Sequence, residues 1–180
     1  MVAGRSVWEK LDRVFACRHA ATKADIETHA KREGEKAMHV AVTGSRGLVG
    51  SALIPFLATG GHRVTRLVRG EPAGPDEVGW DPARGLADPS RLDGVDAVVH
   101  LAGENIAAGR WTPARKVEIR RSRVEGTRSL CESLARLAHP PKLLVSASAI
   151  GFYGDRGAQT LTEKSGPGSG FLPDVCREWE

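Results

Sequence analysis

One short segment limits what this chain can fold into. VTGSRGLVG, residues 42–50, places three glycines at intervals of three directly after a run of small apolar residues. The run itself, MHVAVTG (38–44), has the composition of a buried strand, and apolar side chains recur at helical spacing from Gly47 to Ala58. The segment therefore predicts a strand, a tight glycine turn and a helix, although Pro55 is expected to disturb that helix.

Each glycine of this turn has its own physical reason. Gly44 allows the tight turn, Gly47 lets the backbone approach a pyrophosphate, and Gly50 lets the helix pack closely on the strand. Unpaired N–H groups at the helix start, from Leu48 onward, favour an anion in front of them. We expect these residues, with Thr43 at the end of the strand, to contact a dinucleotide. An ordinary strand–helix loop is the alternative.

The rest of the chain from residue 38 alternates short apolar runs with amphipathic stretches. Further strands are predicted at 62–69, around 78–80, at 95–103 and at 142–154, the last including its exit loop. A long helix opens with Thr112 as N-cap and Pro113 at its first position. Five strands buried on both faces predict an α/β fold, a doubly wound Rossmann-like parallel sheet covered by helices. His100, inside a buried strand, is expected to be a packed core residue.

Residues 1–37 have a different composition. They are rich in charge and nearly free of β-branched residues, which favours helix, and Thr22 with Asp25 suits a capping box. Residues 33–37 have the composition of a linker. The sequence therefore predicts a helical N-terminal segment with a linker, residues 1–37, followed by a dinucleotide-binding domain, residues 38–180.

The composition argues against several classes of protein. The three cysteines lie far apart, which favours reduced thiols in a cytosolic protein over a disulfide frame or a metal site. No apolar run approaches the ~20 residues of a membrane span, and the first residues lack the apolar core of a signal peptide. A net charge of +4 is small, and the arginines between 110 and 123 are spread around a helix. We expect a cytoplasmic protein without metal, membrane or nucleic-acid partners.

Two arginines bear on the type of dinucleotide. In an NAD site, a carboxylate at the tip of the second strand binds the ribose 2′-OH, but this chain has Arg69 there. Arg46 lies inside the glycine turn, and planar guanidinium groups match a 2′-phosphate. The pair favours NADP(H) over NAD(H), while Glu71 keeps NAD(H) open. Ala102 and Gly103 would let the nucleotide pass over the end of the fourth strand.

The T-G-x-x-G-x-x-G spacing resembles the short-chain dehydrogenase/reductase superfamily, in its extended, sugar-epimerase-like branch. Longer strings narrow the resemblance to the uncharacterised "epimerase family" group, over roughly residues 38–180: GWDP (79–82), HLAGENIAAGRWTPARK (100–116), SRVEGT (122–127), SASAIGFYG (146–154) and FLPDVCREWE (171–180). In some members a START/Bet v 1-like lipid-binding domain precedes the dinucleotide domain, and residues 7–30 are similar to its last helix and tail.

The resemblance also implies which residues act. The HLAG element brings Leu101, next to Ala102 and Gly103, to the cofactor. The superfamily pairs a serine with Tyr-x-x-x-Lys, whose lysine lowers the pKa of the tyrosine. Ser148 matches the serine best, and Tyr153 could supply a proton.

The Tyr-x-x-x-Lys pair itself is absent, since Leu172 and Cys176 stand near its two positions. The implied function is NADP(H)-dependent oxidoreductase or epimerase-like chemistry on an unidentified small molecule. A non-catalytic dinucleotide-binding sensor or scaffold is the alternative. By the resemblance, the chain stops at Trp179–Glu180 inside a helix, before the substrate-binding part. We therefore expect weak NADP(H) binding without turnover and an exposed apolar edge prone to association, with a homodimer left open.

Overall fold

The structure is a computed structural model that describes residues 3–31 and 34–180. The chain divides into two compact units, Met1–Ala37 and Met38–Glu180.

The first unit contains one helix, α1, Ala3–Ala30, whose apolar side chains Trp8 and Phe15 are exposed. The helix runs unbroken past Thr22, so the capping box predicted there is wrong: inside a continuous helix the backbone N–H groups already have partners one turn earlier. Residues 34–37, the described part of the predicted linker, are in neither helix nor strand. None of the helices in the described ranges is long and apolar enough to cross a bilayer.

The second unit is a six-stranded sheet with helices. Its strands are β1 His39–Thr43, β2 Arg63–Val68, β3 Glu77–Asp81, β4 Gly85–Leu86, β5 Ala97–His100 and β6 Leu143–Ser146. Its α-helices are α2 Leu48–Thr59, α3 Pro113–Ala135 and α4 Phe171–Trp179, and short 3-10 helices span Pro89–Leu92 and Ile150–Tyr153.

The strand order is β4-β3-β2-β1-β5-β6, and every pairing is parallel except that of β3 with β4. The predicted α/β, Rossmann-like parallel sheet is confirmed. From β1 the chain builds outward through β2 and β3, then returns to place β5 on the other side of β1. In such sheets ligands bind outside the carboxyl ends of the strands where the order reverses. Here that point lies between Thr43 and His100, which are register partners.

Two sequence expectations on this unit are wrong. Helix α2 continues over Pro55 to Thr59; a proline removes one hydrogen bond of the ladder, and burial of Ile54 holds the helix against that loss. The sheet also has one strand more than the five predicted. The extra strand, β4, has only two residues and therefore no hydrophobic period to detect.

Burial follows the position of each strand in the sheet. A cluster of buried side chains joins β1 to β5 and helix α3, and it includes Ala41, Leu67, Val78, Trp80, Val98, Leu130 and Leu134. Strand β6 was predicted to be buried on both faces, which is wrong: Leu143 is 53% and Val145 47% exposed. In the described structure β6 is an edge strand that pairs only with β5.

Candidate functional site

A cleft of about 510 Å³ opens at the carboxyl ends of β1, β2 and β5. We call it the first cleft. Its wall consists of the glycine turn 44–47, the end of β2 at 67–69, the segment 101–104 after β5, and Trp80, Pro82 and Ser122. The structure thus brings together seven of the predicted cofactor residues: Gly44, Arg46, Gly47, Arg69, Leu101, Ala102 and Gly103.

Two glycines, Gly44 in the turn and Gly50 in the helix behind it, leave no room for a side chain. Gly44 has a φ of +66°, and a Cβ on it would stand 2.8 Å from the carbonyl carbon of Leu101. A Cβ on Gly50 would overlap the carbonyl oxygen of Gly44 and stand 2.9 Å from the Cα of Ser45. Gly50 therefore allows α2 to pack on the turn itself, rather than on the strand as predicted.

Helix α2 begins directly behind this turn with no side-chain cap. Its N-cap, Gly47, donates its N–H to the carbonyl of Gly44 at 2.9 Å, and Ser51 donates to the carbonyl of Gly47 at 2.9 Å. The N–H groups between them, from Leu48 to Gly50, belong to the first turn and have no partner within the helix. Leu48, whose side chain is exposed, can contribute only its backbone to an anion at this end of the helix.

Thr43 has a different position from the glycines, since it is fully buried and lies behind the cleft wall. Its Oγ1 lies 2.7 Å from Nδ1 of His100 and accepts the N–H groups of Leu101 and Ala102 at 3.0 and 3.1 Å. A threonine hydroxyl has two acceptor lone pairs and one hydrogen. Both lone pairs are used, so the hydroxyl donates to Nδ1.

The hydrogen positions on His100 follow from that donation. Because Nδ1 accepts, the proton of the neutral ring is on Nε2, which donates to Oγ1 of Thr127 at 3.0 Å. Nε1 of Trp179 donates to the same oxygen at 2.9 Å. Burial lowers the pKa of His100 to about 4, so the ring is neutral at pH 7. His100 is a packed core residue, as predicted, and it ties helix α4 to the cleft wall.

The two predicted cationic residues stand at the rim of the first cleft. Arg69 is exposed, and the Arg46 side chain, 78% exposed, has Nη2 3.4 Å from Oε1 of Glu77. Glu77 also accepts the N–H of Ala73 at 2.8 Å, and this hydrogen bond first, then the charge of Arg46, lowers the pKa of its carboxyl. Sequence reasoning placed the nearby acid at Glu71; Glu77 was missed because it opens a strand inside a stretch with the composition of a loop.

Ser148, one of the two predicted catalytic residues, lines a second cleft of about 340 Å³ beside β6, together with Thr127, Trp179 and Glu180. Its hydroxyl donates to the carboxylate of Glu180. Tyr153 lines neither the first nor the second cleft; it ends a 3-10 helix and stacks edge-on against Phe152. The structure does not bring the two residues together in one cleft.

Helix α4 carries no acid–base pair at Leu172 and Cys176, the two residues that stand near the positions of the Tyr-x-x-x-Lys pair. Leu172 packs on the backbone of Gly151, and Cys176 is buried with its Sγ 3.9 Å from the carbonyl oxygen of Ala149. Burial raises the pKa of the Cys176 thiol, so it is a protonated, packed side chain at neutral pH. In the described ranges no group of three His, Cys, Asp or Glu side chains is placed to hold a metal ion.

Comparison with known proteins shows the family of this chain. The model of the NAD dependent epimerase/dehydratase family matches residues 40–171. This range includes the glycine turn, the strands whose ends form the two clefts, and the first residue of α4. The chain belongs to that family. Within the epimerase/dehydratase family it is 43% identical over 141 residues to an epimerase family protein of Mycobacterium bovis, covering 78% of this chain and 46% of that protein.

Two solved epimerase structures share the fold. A nucleoside-diphosphate sugar epimerase from Corynebacterium glutamicum has a TM-score of 0.76 and 43% identity, covering 92% of this chain and 35% of its own. Human epimerase family protein SDR39U1, solved with NADPH, has a TM-score of 0.67 and 33% identity, covering 79% and 47%. The predicted resemblance to the epimerase family group is confirmed. The chain spans about half the length of the curated relatives it matches.

The residues of the first cleft fit the dinucleotide that the family name implies. The turn is a cradle that a Cβ would fill, and an uncapped helix begins behind it. In the cleft wall, Nε1 of Trp80 is buried without an acceptor among the described residues. These are unpaired backbone and side-chain donors at the edge of a cleft, which suits a polyanionic nucleotide.

Proposed function

We propose that residues 38–180 bind NADP(H) in the first cleft, with NAD(H) as the weaker ligand. We further propose that the protein is an epimerase-like oxidoreductase acting on an unidentified small molecule. The observation that carries the proposal is the glycine turn, in which Gly44 has no room for a side chain and which leads into an uncapped helix at the reversal point of a parallel sheet. The NADPH in the structure of human SDR39U1 supports the choice of cofactor.

The residues of the turn would hold the cofactor's charged groups. The backbone of Gly44 to Gly47 and the first N–H groups of α2 would receive the pyrophosphate. Arg46 and Arg69 would bind the 2′-phosphate, with Arg46 exchanging Glu77 for the phosphate. The bound nicotinamide supplies the hydride chemistry of this group of enzymes.

Ser148 is the candidate for binding a reacting substrate oxygen, because it lines the second cleft, two residues after the end of β6, the strand that pairs with β5. Its hydroxyl would exchange the Glu180 carboxylate for that oxygen. Tyr153, five positions on, is the second candidate for proton exchange.

A non-catalytic dinucleotide-binding module is the second candidate function. It is favoured by Leu172 and by the buried, protonated Cys176, which provide no proton-transfer pair on α4. The two functions differ in one observable property: both bind NADP(H), and only the enzyme oxidises or reduces it with a substrate.

The test is a titration of the 180-residue chain with NADPH and NADH, followed by cofactor fluorescence. Gly47→Asp puts a Cβ 3.2 Å from the Gly44 carbonyl oxygen and a negative charge in the turn, and it should abolish binding of both cofactors. Gly166→Asp is the matched control, since a Cβ at Gly166 meets nothing within 4 Å. Arg69→Ala should weaken NADPH by roughly ten- to a hundredfold and NADH little, as for one charge-assisted contact. Equal binding by Gly47→Asp and the unchanged chain would place the site elsewhere.

A further inference from the structure

Helix α3 carries an arginine, Arg123, that none of the roles above uses. The residue is half-buried, and its guanidinium lies against the backbone of Gly103, where a Cβ would stand 3.3 Å from its Cζ. On another side the guanidinium lies over the Trp179 ring, 5.4 Å from the centroid. Gly103 lines the first cleft and Trp179 the second, so Arg123 stands between the two clefts.

The hydrogen bonds of Arg123 use one end of its guanidinium. Nη1 donates to the carbonyl oxygens of Glu104 and Ile119 at 3.1 and 3.2 Å, and reaches Oγ of Ser122 at 3.5 Å. Arginine has five N–H donors. The N–H groups on Nη2 and Nε have no acceptor among the described residues. Neither nitrogen is one of the fully buried side-chain polar atoms that lack a hydrogen-bond partner in the described ranges.

The charge of Arg123 is also unpaired. No carboxylate of the described residues lies within 4.0 Å of it, although other arginines of α3 have such partners. The carboxylate of Glu104 pairs with Arg115 at 2.7 Å, and Glu104 offers only its backbone carbonyl to Arg123. Burial lowers the pKa of Arg123 and the charge of Glu104 raises it, and a guanidinium stays protonated throughout the physiological range.

A half-buried cation without a counter-ion is costly unless something supplies one. The backbone carbonyls fix the position of the guanidinium, and its open edge has the fork geometry that matches a carboxylate or a phosphate in two parallel hydrogen bonds. The stacked Trp179 ring, itself held by Thr127, keeps that edge from turning away.

We propose that Arg123 binds an oxyanion of the substrate, a carboxylate or a phosphate, between the two clefts, and so selects anionic small molecules. This inference rests on the proposed function, because it assigns the substrate class of that site. Arg123 acts in it as a substrate-binding residue. The acid–base residues of the reaction are a separate question.

The test uses the 180-residue chain saturated with NADPH, so that the glycine turn is occupied. Oxalate and inorganic phosphate are the two probes, titrated by calorimetry and by following the arginine Nε–H signals in nitrogen-15 spectra. We expect a probe to bind, to shift the Arg123 signal, and to bind at least about tenfold more weakly to Arg123→Gln, the loss expected for one charge-assisted hydrogen bond. Whichever probe binds more tightly identifies the group.

Arg136→Gln is the matched control, since Arg136 follows the same helix, is exposed and has only a loose partner in Glu132; it should bind the probe as the unchanged chain does. Equal probe affinity of Arg123→Gln and the unchanged chain, or saturation without a shift of the Arg123 signal, would overturn the proposal. Should Arg123→Gln not fold, the signal in the unchanged chain and the affinity of Arg123→Lys decide. Failure to bind NADPH would count against the proposed function, and titration of the free chain would then still test Arg123.

Discussion

Acidification should destabilise the second unit through one side chain, His100. In the folded chain its neutral ring accepts from Thr43 and donates to Thr127, at 2.7 and 3.0 Å. A protonated ring would present an N–H to Oγ1 of Thr43, whose lone pairs already accept the N–H groups of Leu101 and Ala102. Protonation therefore breaks the network that supports the wall of the first cleft.

The magnitude follows from the pKa of His100, which burial lowers from 6.5 to about 4. Folding favours the neutral ring, so the stabilisation is complete above pH 6.5 and is lost as the pH falls toward 4. Across the interval between the two pKa values, His100 contributes about 3 kcal/mol to the free energy of unfolding. About 2.5 kcal/mol of this contribution is lost by roughly pH 4.5. His39, whose pKa burial also lowers, and carboxylates such as Glu77 contribute to acid unfolding as well, so a variant has to isolate His100.

The assay is urea unfolding between pH 7 and roughly pH 4.5, followed by tryptophan fluorescence, for the unchanged chain and for His100→Gln. Glutamine keeps a donor and an acceptor but does not titrate. The difference in unfolding free energy between the two proteins should shrink by about 2.5 kcal/mol on acidification. His19→Gln, an exposed change on α1, is the control for replacing a histidine outside the second unit. Parallel curves for His100→Gln and the unchanged chain would refute the reasoning.

Three further outcomes are expected. Gly50→Ala should lower the unfolding free energy by about 1–3 kcal/mol in urea titrations, since its Cβ would overlap backbone of the turn; Gly166→Ala should change it little, and equal loss in both would contradict the packing argument. Glu77→Gln should tighten NADPH up to about fivefold at low salt and leave NADH unchanged, because it frees the arginine of the turn; weaker NADPH binding would show that the carboxylate supports the site. Iodoacetamide should modify exposed Cys17 at least about tenfold faster than buried Cys176 in peptide mass spectra, and equal rates would show that α4 opens readily.

Local patterns in the sequence were enough to predict the strand, the turn and the helix that form the first cleft. The three glycines at 44, 47 and 50 predicted a strand, a turn and a helix, and the structure has β1, the turn and α2 in that order. Such a motif is local: its backbone conformation and close approaches involve neighbours in sequence, such as Gly50 against Gly44. The continuous apolar runs of β1 and β5 likewise predicted a parallel sheet buried on both faces.

Contacts between residues that are distant in the sequence could not be predicted from these local patterns. Whether Ser148 and Tyr153 share a cleft depends on the loop that follows β6, and the structure separates them. Burial of β6 also failed as a prediction, because an apolar run reports what a strand could bury and cannot report whether a neighbour covers it.

By itself the sequence determined the order of elements, the glycine turn and the family, because these depend on the period of side chains and on backbone freedom over a few residues. Only the tertiary structure decided that Thr43 supports the cleft wall through His100, 57 positions away, that Glu77 lies against Arg46, and that Arg123 stands unpaired between two clefts. The physical reason is the same in each case. The charge state and hydrogen-bond direction of a polar side chain depend on which distant groups the packed sheet and helices bring to it, and on how much water they exclude.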